Sequence, residues 1–388
     1  MNGSESAPLI YIVAGEPSAD LLGARLMAAL KAETMGTVEF AGIGGDAMQA
    51  EGLDSLFPMD ELAVMGLAEV LPRLPRLVGR ISETVADVRA RAPAALVTID
   101  SPDFNFRVAR KLKGAGTPLI HFVAPSVWAW RPGRAAKIAR FLDHLLVLLP
   151  FEPPYFEAEG LATTYVGHPV LEGPAAAADG ARFRERHGIA AADKVLMMLP
   201  GSRRSEAERL LPVFETVVAE MAERFAGLRV LTVAASPTRE LLGRCVAEWP
   251  VPVTLVDGDA QKFDAFAAAD AALAASGTVA LELAITGTPS VIAYRVNPLT
   301  AWLARRLITV RHVNLVNIIL GRGAVPEFLA GECRAETIAP AVAELLSGGE
   351  NVTAQKSAYT EALDALGRGG EPASRRAARA VLGVIGRT

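Results

Sequence analysis

Cysteine is almost missing from this chain. Cys245 and Cys333 are the only two in 388 residues. They are too few for a disulfide framework and stand in no metal-ligand spacing, so both read as reduced, structural thiols. Aromatic residues are scarce at 6%, and histidine occurs five times. A net charge of -4 gives no broad pull towards nucleic acid, which is excluded as a general partner. No run approaches the roughly 20 apolar residues of a membrane span. The opening MNGSESAPLIYIVAG lacks the basic start and the long apolar core of a signal peptide. These absences predict a cytoplasmic protein that at most lies on a membrane surface. What is present is a globular composition, 51% hydrophobic and 21% charged, dominated by the Ala, Leu and Val that suit helices on a buried sheet. A single core rarely grows beyond roughly 250–300 residues, so 388 predict two domains.

Short apolar runs alternate with longer helical patterns. LIYIVAG, VEFAGIG, AALVTID, PLIHFVA, HLLVLLP and TTYVGHP read as strands in the first half. KVLMMLPGS, LRVLTVAAS, VPVTLVDG, AALAAS and TPSVIAYRV read as strands in the second. Near-continuous apolar strands separated by helices predict parallel sheets covered on both faces. The small, turn-rich GPAAAADGA at 173–181 reads as a linker. The expected domains are therefore 8–172 and 182–350, with the basic-amphipathic tail 352–388 packing on the first. The expected class is α/β, two Rossmann-like doubly wound domains facing across a cleft. Ligands in such sheets bind outside the carboxyl ends of the strands, so the residues at those ends are the candidates for a site.

The loop VAGEPSADLLGA hands the first strand to a helix through Glu16, Ser18 and Asp20. Either the loop faces a ligand, or its acids are turn and cap residues; a helix N-cap suits Asp20. Gly42-Ile43-Gly44-x-x-Ala47 matches a dinucleotide fingerprint, but it follows the second strand, and glycines at a βα turn have steric reasons of their own. In PGSRR, Gly201 allows close backbone approach, Ser202 suits a cap for a helix over 205–225, and Glu206 follows at capping-box spacing. Free N–H groups there, with Arg203 or Arg204, suit a phosphate; a capped helix with solvated arginines is the plain alternative. SGTVALE repeats the logic: Ser276, Gly277 and Thr278 can hold a diphosphate, and Glu282 can accept both hydroxyls of a ribose. Two such loops point to a nucleotide diphosphate. Asp257-Gly258-Asp259 has the look of an Asp-x-Asp metal motif, although a turn is the commoner meaning of Asp-Gly, and no metal is predicted. In VTIDSPDFN, Asp103 has a structural reason to stand at a helix start, whereas Asp100 ends a strand; Asp100 is preferred as a general base. His121 and His168 read as satisfied structural residues.

Taken together, VAGEPSADLLGA, ELAVMGLAEVL, IDSPDFNFRVARKLK, IHFVAPSVWAWRPGR, LLPFEPPYF, LPGSRRSE, ASGTVALE and VNIILGR resemble the lipid-A-disaccharide synthase family over about residues 9–345. The resemblance implies an inverting glycosyltransferase of the GT-B fold. It would join the sugar of UDP-2,3-diacylglucosamine to 2,3-diacylglucosamine 1-phosphate, giving lipid A disaccharide 1-phosphate and UDP, with no cofactor. It implies Arg203, Gly201, Ser202, Ser276, Gly277 and Thr278 at the diphosphate, Glu282 at the ribose and Asn317 near the donor. On the acceptor side it implies Glu16, Ser18, Asp103, Asn105, Ser126 and Trp128, with Asp100 taking the proton of the 6-hydroxyl. One departure is Ala19, where the family usually has glycine. Acylated substrates imply peripheral attachment to the cytoplasmic face of the inner membrane, with the basic amphipathic stretch 62–81 as the first candidate and 302–312 as the second; core-facing helices with snorkelling arginines are the alternative. A homodimer is allowed. A sugar-nucleotide epimerase or a non-catalytic binding protein would keep a UDP site but dispense with the acceptor strings.

Overall fold

The structure, a computed structural model, describes residues 7–62, 67–129, 133–234, 238–256, 259–295 and 311–386, without the side chains of 67–74 and 259–260. Two compact units divide it. One runs to Pro169 and resumes at Gly370; the other is continuous from Val170 to Gly369.

The first unit holds strands β1 (Leu9–Ala14), β2 (Glu39–Ile43), β3 (Ala95–Ile99), β4 (Leu119–Phe122), β5 (His144–Val147) and β6 (Ala162–Tyr165). They form one parallel sheet in the order β2-β1-β3-β4-β5-β6. Alternation in β1 explains why both faces are covered. Tyr11 and Val13 join one buried cluster with Leu96, Phe104 and Val108. Ile10, Ile12 and Ala14 join the opposite one with Val97, Leu26 and Leu30. A helix over Ala373–Val384 adds Ala377, Ala378, Val381 and Leu382 to this second cluster. The tail is therefore divided: residues to Gly369, including the helix Glu350–Ala365, belong to the second unit, and only those from Gly370 pack on the first.

The second unit holds β7 (Val195–Leu199), β8 (Arg229–Val233), β9 (Val253–Val256), β10 (Ala271–Ala275), β11 (Ser290–Tyr294) and β12 (Glu327–Leu329). Its sheet is also parallel, in the order β12-β11-β10-β7-β8-β9. Five of these strands are legible as apolar runs; β12 has only three residues, all partly exposed, and shows no run. The presumed linker 173–181 is packed structure. Ala175 is buried, Asp179 caps the helix Gly180–Arg186 by accepting from the N–H of Arg182, and the Asp179 N–H donates to Asp264.

In each sheet the chain reverses its direction of winding once. The reversal lies between β1 and β3 in the first unit and between β7 and β10 in the second. Both switch points open a crevice at the carboxyl ends of two neighbouring strands, where ligands bind in this class of sheet.

Candidate active site

At the second unit's switch point lies a cavity of about 310 Å³. Gly201 and Ser202, after β7, form one wall; Ser276, Gly277 and Thr278, after β10, form the other, with Glu282 one turn further on. Gly201 has φ +107, which a side chain would resist, and a Cβ there would lie 2.9 Å from the Glu206 carboxylate. The two loops that sequence pairs as a diphosphate site are thus brought together. Each precedes a helix, Arg204–Arg224 and Val279–Thr286, whose first N–H groups carry no side-chain cap. Ser202 therefore does not cap the first of these; Arg203 occupies the N-cap position in extended backbone. Arg203 is largely exposed, lies 3.7 Å from Glu206 and is not part of the cavity wall. Ser276 Oγ donates to the carbonyl of Val313.

Lys262 was missed by sequence reasoning. It comes from the helix Asp259–Ala268, lines the cavity, and reaches both carboxylate oxygens of Glu282 at 2.7 Å. Among the described residues it is the only cation on a wall that also carries Glu206 and Glu282. No motif in the sequence marks it, because the pairing joins residues twenty positions apart on different helices.

The first unit's switch point is built differently. Gly15 and Glu16 leave β1, and Asp100 and Ser101 leave β3. Asp100 and Ser101 both have left-handed backbone, φ +46 and +42, which no glycine relieves. Such a conformation costs a non-glycine residue roughly 1–2 kcal/mol. Burial pushes the Asp100 carboxyl up to about 6; the Glu16 carboxylate, in hydrogen-bond contact, adds to this, while the Ser101 backbone opposes it. Ser18 Oγ donates to Glu16 Oε1 at 3.1 Å. A half-buried acid that ionises near neutrality at a strand end has the properties of a general base.

Other predicted site residues go elsewhere. Asn105 is wholly buried, and its Nδ2 donates to the carbonyls of Ile99 and Asp100 at 3.1 and 2.7 Å. Asp103 is exposed in the first turn of the helix Pro102–Leu112, and Ser126 is exposed beyond β4. Trp128 is buried, and its Nε1 donates to Glu152, whose carboxyl also accepts from the N–H groups of Leu148 and Leu149. Burial raises Glu152 to about 7 despite these donors. Asn317 is buried away from the cavity wall: its amide donates to Val325 O and accepts from the N–H groups of Ala324 and Val325. Shape rather than chemistry explains these two asparagines: Asn105 ties down the turn that leads into its helix, and Asn317 the turn that follows its own.

Asp20 is a cap, but not of its own helix. Its carboxylate accepts from the N–H groups of Gly45, Ala47 and Met48, closing the start of the helix Asp46–Ala50. This also settles the glycine-rich loop: the N–H groups a pyrophosphate would need are taken. Gly42 is required because a Cβ there would lie 1.8 Å from Ile12 O. Ala19 sits inside the helix Pro17–Glu33, where no positive φ is demanded. His121 is buried against Phe106 and bonded to Thr98, and burial lowers it to about 3. Burial likewise lowers His168 to about 4. Among the described residues no cluster of acids, histidines and cysteines is arranged to hold a metal. Asp257 and Gly258 lie outside the described residues, as do 63–66 and most of 302–312. Of the first amphipathic stretch, Arg76 and Arg80 pair with Glu61, which offsets part of its positive charge. Among the described residues no helix is long and apolar enough to cross a membrane.

Comparison with known proteins agrees with this architecture. A family model described as lipid-A-disaccharide synthetase matches residues 10–381. The lipid-A-disaccharide synthase of Rhodospirillum centenum is 56% identical over 379 residues, covering 97% of this chain and 94% of its own. Among solved structures, the glycotransferase of kitacinnamycin superposes with a TM-score of 0.66 at 17% identity, covering 97% of this chain and 99% of its own. A UDP co-structure of MnaA from S. aureus superposes with a TM-score of 0.63 at 13% identity, covering 94% and 93%. These two establish fold alone, an α/β arrangement of GT-B type. On the family model and the relative together, this chain belongs to the lipid-A-disaccharide synthase family, the glycosyltransferases of lipid A biosynthesis.

Proposed function

We propose that this chain joins the sugar of UDP-2,3-diacylglucosamine to the 6-hydroxyl of 2,3-diacylglucosamine 1-phosphate and inverts the anomeric carbon. The cavity at the second unit's switch point carries the reading: two uncapped helix starts flank it, and Glu282 stands on its wall. Those N–H groups favour a diphosphate, and a carboxylate suits the vicinal hydroxyls of a ribose. UDP in the MnaA co-structure is consistent with this assignment. In the first unit, Asp100 takes the proton of the acceptor 6-hydroxyl. The new bond forms from O6 to the anomeric carbon as the bond from that carbon to the diphosphate breaks, and the electron pair leaves with UDP. Arg203 and the helix starts offset the charge on the departing UDP, so the step calls for no cofactor. Acylated substrates bring the protein to the cytoplasmic face of the inner membrane as a peripheral protein.

The test incubates the purified chain with both lipid substrates in detergent and EDTA, following disaccharide and UDP. The wild type forms the β-linked disaccharide, Asp100→Asn forms almost none, and Glu282→Gln weakens UDP binding. Binding of UDP with no disaccharide in any lipid or detergent would sink the transferase reading. Full activity in Asp100→Asn would remove Asp100 as the base.

A further inference from the structure

A strand can leave a sheet through a left-handed residue most cheaply at glycine. Here two consecutive residues with side chains, Asp100 and Ser101, adopt that conformation at the first unit's switch point. Strained backbone survives only where its surroundings over-determine it. In this turn the polar backbone groups are tied on three sides. The Asp100 N–H donates to Phe122 O on β4 at 2.9 Å. Ser101 O accepts from the N–H groups of Phe104 and Asn105. The carbonyls of Ile99 and Asp100 both accept from the Nδ2 of Asn105. Asn105 is 0% exposed, so its side chain cannot meet a substrate. Opposite, Gly15 leaves room for the turn: a Cβ on it would lie 2.6 Å from Ser101 Oγ.

We infer that Asn105 is a positioning residue for the reaction, holding the Asp100–Ser101 peptide so that the Asp100 carboxyl projects beside Glu16. One side-chain amide bridging the carbonyls before and after the Asp100 Cα fixes both peptide planes flanking it. The two planes set the direction of the Cα–Cβ bond. Without the bridge the turn has a cheaper exit, in which Asp100 relaxes towards negative φ and its carboxyl swings away. The role rests on the reading of Asp100 as the base.

Four chains test it: wild type, Asn105→Ala, Asp100→Asn and the double variant. Turnover, donor KM, UDP affinity and thermal midpoint are measured on each. Asn105→Ala is expected to lower kcat roughly 100-fold, the scale of a misplaced reacting group. Donor KM and UDP affinity stay within about twofold, because the second unit is untouched. In the Asp100→Asn background the Asn105 change adds no further loss, since it acts only through Asp100. Losses that multiply in the double variant, or a fully active Asn105→Ala, overturn the inference. An active Asp100→Asn overturns the reading of the base itself, and the inference with it. If Asn105→Ala folds poorly, Ser101→Gly is added to relieve the turn. Recovery of the thermal midpoint without recovery of kcat supports positioning; recovery of both reduces Asn105 to a structural brace and overturns it.

Discussion

At the scale of single residues, the proposed chemistry rests on Asp100 with Glu16 beside it, and on Lys262 with Glu282. As the proposed base, Asp100 must be ionised to take a proton, and its carboxyl is held near 6, first by burial and then by Glu16. The rate should therefore fall as pH drops through about 6, the acid limb of a kcat/KM profile. Glu16→Gln removes the neighbouring charge, so Asp100 ionises at lower pH and the limb moves down. Burial remains, so the limb stays above the ordinary carboxylate range. An unmoved limb in Glu16→Gln would show that another group titrates. The same raised acid weakens the fold slightly as pH rises from the ordinary carboxylate range through about 6, because the folded form holds its proton more tightly than the unfolded one. Lys262 matters for a different reason. Without it the described residues of the cavity wall include Glu206 and Glu282 and no cation. Lys262→Met is expected to weaken UDP binding about tenfold, and Lys262→Arg to restore most of it, as titration calorimetry would measure. Equal affinity in Lys262→Met would make the pair with Glu282 a purely structural one.

At the scale of elements, Asp20 does more than its position in a polar loop implies. Its buried carboxylate accepts three N–H groups from a helix start far along the chain. Hydrogen bonds to a charged group contribute about 1.5–3 kcal/mol, and stranded buried donors add a penalty. Asp20→Ala should lower the stability of the first unit by about 3 kcal/mol in chemical denaturation while leaving UDP affinity unchanged. A loss below about 1 kcal/mol would mean that water replaces the carboxylate. The opening loop and the glycine-rich loop after β2 are thus one structural device. Glu16, at the N-cap position of the helix Pro17–Glu33, remains the residue of that loop which touches the candidate base.

For the whole molecule, the consequence lies in how the chain returns. The first unit is completed by the helix Ala373–Val384, which buries Val381 and Leu382 against the face carrying Ile10 and Ile12. Burying a Val or Leu contributes about 1.5–3 kcal/mol, so truncation after Gly369 should destabilise the first unit by about 5 kcal/mol. The second unit is continuous in sequence and keeps its own core. Two-step unfolding is expected for the truncated chain, with UDP still protecting the later step. A single transition that falls with truncation would show that the units unfold together.

The sequence by itself determined the class of fold and most of the site's vocabulary. Period-free apolar runs such as VLMML and AALAA suit strands buried on both faces of a parallel sheet, and glycine with small hydroxyls after them suits a turn where backbone can approach a ligand. Gly201, Ser202, Ser276, Gly277, Thr278 and Glu282 were legible for that reason, and the structure gathers them round one cavity. Polar residue type alone did not reveal direction. Asn105 and Asn317 look like ligand-binding residues in a string, and Asp20 like a cap of its own helix, but burial turns each towards other backbone it must satisfy. Lys262, Glu152 and the division of the tail were invisible, because each depends on residues that meet only after the strands have taken their order. Local pattern records what each segment can pack or bind. Which partner it meets is decided by the crossovers of the sheets, and those are fixed only when the whole core closes.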